Sequence, residues 1–354
     1  MSVIRSSMGV AAMAVAATAL STGVAQPAPE AQVVCSEEAL KSAIRKANES
    51  GGGSLQLSPG CTYEISSPDS ENNALPAVTN KIVIHGNDSV IRRASAEKVR
   101  ILLIDGPHGE LHLDHIAIRD GHTSDSGGGI SIRPHAKLVA HDVTLTGNAA
   151  DVRGGAIDNF AGTVALRNST IDGNTSLRGG GIFLDGTTQL HDTTLSGNTA
   201  TASGGAAFVN TARTEFGKVT ISANTAQTVG GGIAIANPAT VLLHDSDLTG
   251  NKATGGDGGG VINAGTLGAD RSRISRNNAG GAGGGISTLT FPLTHDTART
   301  TLKHSSVQFN VAAIAPGGLH SDLGLVSLLA DTEVSDNLPT NCSGSPTPIP
   351  NCSN

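Results

Sequence analysis

The 354-residue chain contains no tryptophan, one tyrosine (Tyr63) and six phenylalanines. A core with so few rings has to be filled by small aliphatic side chains, as stacked short strands are. The aromatic platforms that often hold sugar rings are nearly missing. Charged residues make up only 15% of the chain, and the net charge of −7 is spread without a basic stripe or an arginine-aromatic alternation. Nucleic acid is therefore excluded as an expected partner. Past the first two dozen residues there is no long apolar run, so no membrane span is expected. Neither Gly-x-Ser-x-Gly nor His-Glu-x-x-His occurs, which leaves a serine hydrolase or a metalloprotease without a motif.

Residues 1–25 have the layout of a cleavable secretory signal: Arg5, an alanine-rich apolar run from Met8 to Leu20, then Gly23, Val24 and Ala25 before Gln26. The mature protein is expected outside the cell or at its surface, held by non-covalent contacts. Four cysteines suit that address. Three pairings are open; Cys35 with Cys61 and Cys342 with Cys352 is expected, because the repeats between them contain no cysteine.

Two landmarks keep one beat along the chain. Gly-Gly-(Gly/Ala) followed by a hydrophobic residue leads to Ile130, Ile157, Ile182, Phe208, Ile233, Val261, Ile286 and Leu319. A Ser/Thr/Asp-(Gly/Ala)-Asn type of sequence ends at Asn148, Asn174, Asn198, Asn224, Asn251, Asn277, Asn310 and Asn337. Counting back from each asparagine, apolar residues recur at ten, eight and three positions, as in Val164, Leu166 and Ile171. The alternation within each piece is that of a strand. A polar pair between the pieces breaks parity, so the chain must turn a corner there. A third strand follows the glycines, as in Ile130 to Ile132. Three strands and three corners per repeat of about 25 residues predict a parallel solenoid, with coils stacked at roughly 4.7–4.9 Å. Glycine allows positive φ and close backbone approach at one corner. Asparagine is expected to take the left-handed conformation at another and to pass amide hydrogen bonds from coil to coil.

The fold class expected is all-β, a single-stranded right-handed parallel β-helix with an N-terminal helical cap. Its parts are a signal over 1–25, a cap over 26–81 with Cys35 and Cys61, repeats over 82–338, and a tail over 339–354 with Cys342 and Cys352. Within the cap, Glu38 to Asn48 reads as an amphipathic helix with Ser36 as N-cap and Ala39, Leu40, Ala43, Ile44 and Ala47 on one face. Laid across the first coil, it would cover an open hydrophobic end.

The Gly-Gly-Ala-Ile of Gly154 to Ile157, the Gly-Gly-Gly-Ile of Gly127 to Ile130 and their asparagine-paired copies resemble the repeats of secreted right-handed β-helices of the pectate-lyase-like fold that carry polymorphic-membrane-protein-type repeats. Cys35-Ser36-Glu37-Glu38-Ala39-Leu40, with Ala43-Ile44 and Ala47-Asn48, is similar to a Cys-Ser-Leu-Arg-Glu-Ala opening motif, from which Glu37 and Glu38 depart. The resemblance implies the scaffold. The surface-anchored adhesin role of the autotransporter members does not carry over directly, since this sequence has no C-terminal membrane barrel.

The polar pair at the corner stacks into two columns. The first reads His141, Arg167, His191, Gly217, His244, Asp270 and Lys303; the second reads Asp142, Asn168, Asp192, Lys218, Asp245, Arg271 and His304. At strand spacing these bring opposite charges within reach. They also supply binding candidates His191, Asp192 and His244. One zinc ion is not expected there, because Gly217 separates the two imidazoles by two coils, roughly 10 Å. Lyases and epimerases of the superfamily resembled use carboxylates around calcium with an Arg or Lys base, which would fall to Asp245, Asp270, Arg271 and Arg273. No cofactor is expected otherwise, and calcium only under that alternative. The longest repeat adds a loop whose Phe291, His295, Asp296 and Arg299 form a second binding candidate. An outward threonine column at Thr144, Thr170, Thr194 and Thr220 is broken by Asp247 and Arg273.

These observations predict a secreted, monomeric binding scaffold of adhesin-like type rather than an enzyme, with an extracellular or cell-wall polysaccharide or a surface protein as partner. The alternatives are a lyase or epimerase acting on acidic polysaccharide, and a structural wall component.

Overall fold

The glycine and asparagine period winds the chain into an all-β parallel solenoid of about eleven turns, seen in a computed structural model that describes residues 30–290 and 296–353. The expected signal segment lies outside the described residues. Strands join into a wide sheet of twenty strands, a sheet of nine and a sheet of eight. Every ladder between the described strands is parallel, and each strand pairs with its equivalent one coil away, as Ile157 does with Ile130 and Ile182. Parallel connections of this kind are right-handed in nearly all proteins.

A coil has four strands rather than three. In one coil they are Ile157–Asn159, Thr163–Arg167, Thr170–Asp172 and Thr175–Arg178. The second and third belong to the same wide sheet, bent at the corner, so three sheets do bound the tube. The fourth follows the asparagine and builds the eight-stranded sheet. Its copies shrink to two residues, Thr225–Ala226 and Lys252–Ala253, too short to show alternation. The interior is aliphatic: Val164, Leu166 and Ile171 are buried, as are their counterparts Val241, Leu243 and Leu248.

The asparagines are buried and run as one column. The backbone N–H and the side-chain amide of each donate to Oδ1 of the next, as from Asn224 to Asn251 at 3.1 and 2.9 Å. The same amide also donates to a carbonyl of the previous coil, here Leu195 O at 3.0 Å. Gly121 N–H closes the lower end and Asn341 extends the upper end. The left-handed conformation expected of these asparagines falls on the residue before each, from Gly147 to Asp336, with φ between 55° and 65°. An amide locked into the column needs its own backbone extended, so its neighbour makes the turn.

Glycine does the expected work at the corner before the nine-stranded sheet. A Cβ on Gly155 would lie 2.3 Å from Gly180 O and 2.6 Å from Thr175 O, both backbone atoms. In the repeat at Gly204 the register differs from the sequence reading. Ala207, not Phe208, is the partner of Ile182, and Phe208 pairs with Phe183 on the outer surface of the strand.

The helix spans Glu37–Glu49, with Ser36 accepting from Ala39 N–H, and buries Leu40, Ile44 and Ala47. Glu37, a departure from the opening motif, ties the helix down. Its carboxylate accepts from the N–H and hydroxyl groups of Ser66 and Ser67 and pairs with Lys41 at 2.6 Å. Disulfides join Cys35 to Cys61 and Cys342 to Cys352. Among the described residues no helix is long and apolar enough to cross a membrane.

Replacing Asn224 by Ala should strand the buried Leu195 carbonyl and the amide donors of Asn198. A loss of about 3 kcal/mol in urea unfolding is expected, since each buried group left unsatisfied costs about 1–3 kcal/mol. A loss below about 0.5 kcal/mol would mean that the column is decorative.

Candidate functional site

Both corner columns exist, in register from Asp114 through His141, Arg167, His191, Gly217, His244 and Asp270 to Lys303. The second-column residues hold the turn: Asp142, Asn168, Asp192, Lys218, Asp245, Arg271 and His304 all have φ between 46° and 53°. Lysine and arginine rarely adopt this conformation. Here Lys218 and Arg271 are held by donating N–H to a first-column carbonyl of the next coil, His244 O at 2.8 Å and Lys303 O at 3.0 Å, and His304 donates to Ala330 O at 2.8 Å. A buried hydroxyl column just behind the corner steadies it further: Ser246 N–H donates to Ser272 Oγ, and Ser272 N–H to Ser305 Oγ. The polar pairs of the sequence identified the turn, but nothing in them marked this serine column.

The four lyase candidates lie together; Asp245, Asp270 and Arg271 neutralise one another, and Arg273 is neutralised by Asp247. Arg271 grips Asp245 through two hydrogen bonds of 2.7 and 3.2 Å and reaches Asp270 at 2.6 Å. His304 Nδ1 lies 3.1 Å from Asp270, and Arg273 pairs with Asp247. The Arg271 guanidinium holds the Asp245 carboxyl below its ordinary range, and the His304 contact does the same for Asp270. Asp245 in turn raises Arg271, and Asp247 raises Arg273. No carboxylate here is free of a cation. A calcium ion takes six to eight oxygen ligands, and this donor set does not fit one. Among the described residues no group of three or more His, Cys, Asp or Glu side chains is arranged to hold a metal.

His191 pairs with Asp192 at 2.5 Å and leans over Gly217, where a Cβ would meet its Cδ2 at 3.0 Å. His244 stands on the far side of Gly217, so the two imidazoles face a common notch from separate coils. The missing side chain opens a groove of about 340 Å3 that also touches Arg167, Glu215 and Lys218. A second groove, of about 380 Å3, runs past Arg271, Arg273 and His304 to Asp331 and Glu333. Asp245 lines both, so the two grooves adjoin along the solenoid.

The longest repeat divides. Phe291 and His295 lie outside the described residues. Arg299 is not part of a projecting loop: it opens the strand Arg299–Lys303 and pairs with Thr266 and Leu325. Asp296 sits in the segment before it, where its backbone carbonyl accepts from Asn237 Nδ2 at 3.2 Å beside a polar cavity of about 280 Å3.

The sequence reading missed a third place. On the outer surface of the nine-stranded sheet, Ser131, Asp158, Phe183 and Phe208 stand in register, with Asp158 fully buried. Arg153 lies above them, with its guanidinium over the Phe160 and Phe183 rings and Nε 3.0 Å from Asp158 Oδ1. That ion pair lacks hydrogen-bond alignment. Neither Asp158 oxygen accepts a hydrogen bond, and Ser131 Oγ and two nitrogens of the buried Arg100 are also without partners. Arg100 gives its remaining Nη2 to Asp125 at 3.0 Å. Burial raises the Asp158 carboxyl to about 6, outweighing Arg153, Arg133 and Arg100. Alternation puts Asp158 on the outward side of its strand, where solvent would be expected, yet the fold buries it.

No family model matches this chain, and no curated protein matches it. Among solved structures it is similar to the Azotobacter vinelandii mannuronan C-5 epimerase AlgE6 A-module, at 12% sequence identity and a TM-score of 0.42, over 87% of this chain and 94% of that one.

Because the Asp158 carboxyl is raised in the fold above its ordinary value of about 3.9, its contribution to stability is complete below about pH 4 and is lost as pH rises through about 6. Asp158→Asn should therefore gain on the unaltered protein between pH 4 and 7, by on the order of 2–3 kcal/mol. Thermal unfolding of both proteins across that range checks it; a difference that stays constant with pH refutes the buried charge.

Proposed function

We propose that the protein is an extracellular binding scaffold that holds an extended, polar polymer along the corner trough. The observation that carries this reading is the shared lining at Asp245, where two shallow grooves adjoin. From the coil of Arg167 to that of Glu333 is six steps, roughly 29 Å at the ordinary strand spacing, several times the length of one sugar or amino-acid unit. Mutually paired exposed charges contribute little to stability, and many weak contacts in fixed register add up to useful avidity. Arg167, His191, Lys218 and His244 give the Gly217 end an excess of cationic and ionisable groups, which suits an acidic polysaccharide or an acidic surface protein. In this reading the chain is a pectate-lyase-like right-handed β-helix with polymorphic-membrane-protein-type repeats, exported by residues 1–25 and working as a monomer. Two disulfides agree with that location.

A second reading, a lyase or epimerase acting on acidic polysaccharide, is favoured by one observation: Asp158 is a buried carboxyl raised toward neutrality beside arginines, the condition of a tuned acid-base group. Its chemistry would then sit on the nine-stranded sheet and not at the neutralised corner.

Retention of the mature protein on isolated cell walls and on immobilised uronate polymers tests the first reading. Gly217→Phe, which fills the notch, should lower retention about tenfold while leaving the melting temperature nearly unchanged, as surface substitutions do. Equal retention by Gly217→Phe refutes the trough. Release of unsaturated product from uronate polymers, followed by absorbance and abolished by Asp158→Asn but not by Asp270→Ala or Arg271→Ala, would establish the second reading in its place.

A further inference from the structure

At the N-terminal end of the wide sheet, an open cavity of about 380 Å3 lies between the glycine that ends the helix, Gly51, and the turns leading into three successive strands. Lys81, Glu110 and Lys137 open those strands and are ladder partners of one another. His108 and His135 stand two residues ahead of Glu110 and Lys137, in equivalent turns of adjacent coils. Both imidazoles are exposed, and neither makes a hydrogen bond or ion pair among the described residues. None of these groups lines the corner trough.

One carboxylate serves several cations here. Glu110 lies 3.2 Å from Lys81 Nζ and 3.6 Å from Lys137 Nζ, and it also pairs with His112. Two ammonium groups against one carboxylate leave a positive charge uncompensated before any imidazole is protonated, in a chain whose net charge is −7. Glu110 reports that local field itself. Its carboxyl is held down to about 2, first by the His112 hydrogen bond and then by Lys81 and Lys137, against the opposing effect of burial.

We propose that this cavity binds a sulfate or phosphate group carried on a polymer. Lys81 and Lys137 supply fixed charge, the imidazoles of His108 and His135 supply further N–H donors, and Glu110 acts as a built-in competitor. A tetrahedral oxyanion presents acceptors in several directions, which matches donors arriving from three coils better than a planar carboxylate does.

Calorimetry on the full mature chain tests this, using a sulfated polysaccharide, an uncharged polysaccharide of equal length, inorganic sulfate and inorganic phosphate at fixed ionic strength. The sulfated polymer should bind, and the uncharged one should not. Glu110→Gln should tighten binding about fivefold, and Lys81→Gln with Lys137→Gln should weaken it by at least as much, the scale of exposed charge pairs. His108→Gln with His135→Gln should weaken binding as well. Gly217→Phe should change nothing, which separates this site from the trough. The proposal is overturned if Glu110→Gln fails to tighten binding in a variant that melts like the unaltered protein, if the lysine pair proves irrelevant, or if the site takes the free ions but rejects the polymer.

Discussion

Buried amide groups that hydrogen-bond to their own kind in the next coil set the register of this solenoid. Each asparagine satisfies two donors on the oxygen of its neighbour and sends its own amide on to a carbonyl one coil away, so a coil slipped by one residue would leave several buried polar groups without partners. Because every bond points the same way along the axis, the column polarises cooperatively. Packing alone would not enforce such a register, since one small aliphatic side chain substitutes readily for another inside the tube.

The corner depends on that register. With coils locked, the two residues of each polar pair fall above those of the previous coil, and their side chains form lines rather than a scatter. Arg271 can then bridge Asp245 and Asp270, and Gly217 becomes a gap in a wall instead of an isolated glycine. The left-handed backbone at Lys218, Arg271 and His304 turns long side chains outward at a place where the serine column fixes the main chain. Trough and charge pattern are products of one geometric rule applied coil after coil.

The outer surface of the nine-stranded sheet follows a different logic. Most of its outward residues are buried, with Phe208 and Leu103 only partly so. Ala234 and Ile262 gain from this, whereas Asp158 is left as a carboxylate in an apolar place with an imperfectly aligned guanidinium. The contrast with Glu110 is instructive. One carboxyl is raised by burial and the other is lowered first by the His112 hydrogen bond and then by the lysines, although both sit on sheet exteriors two coils apart.

The amino-acid sequence by itself determined the period, two of the three bounding sheets, the polar corner and the helix with its serine cap, and it favoured the observed pairing of the cysteines, because each rests on local spacing or on which residue types suit a turn. It also placed both charged columns, since their positions count from the same asparagine. Tertiary structure alone decided the rest. The fourth strand is too short to carry a period. The left-handed residue moved to the position before the asparagine because the amide column needs an extended backbone there. Arg299 joined a ladder because its coil neighbours offered one, and Asp158 was buried although alternation turns it outward. Alternation tells which way a side chain points from its strand, but whether water waits there depends on what other coils lay over it.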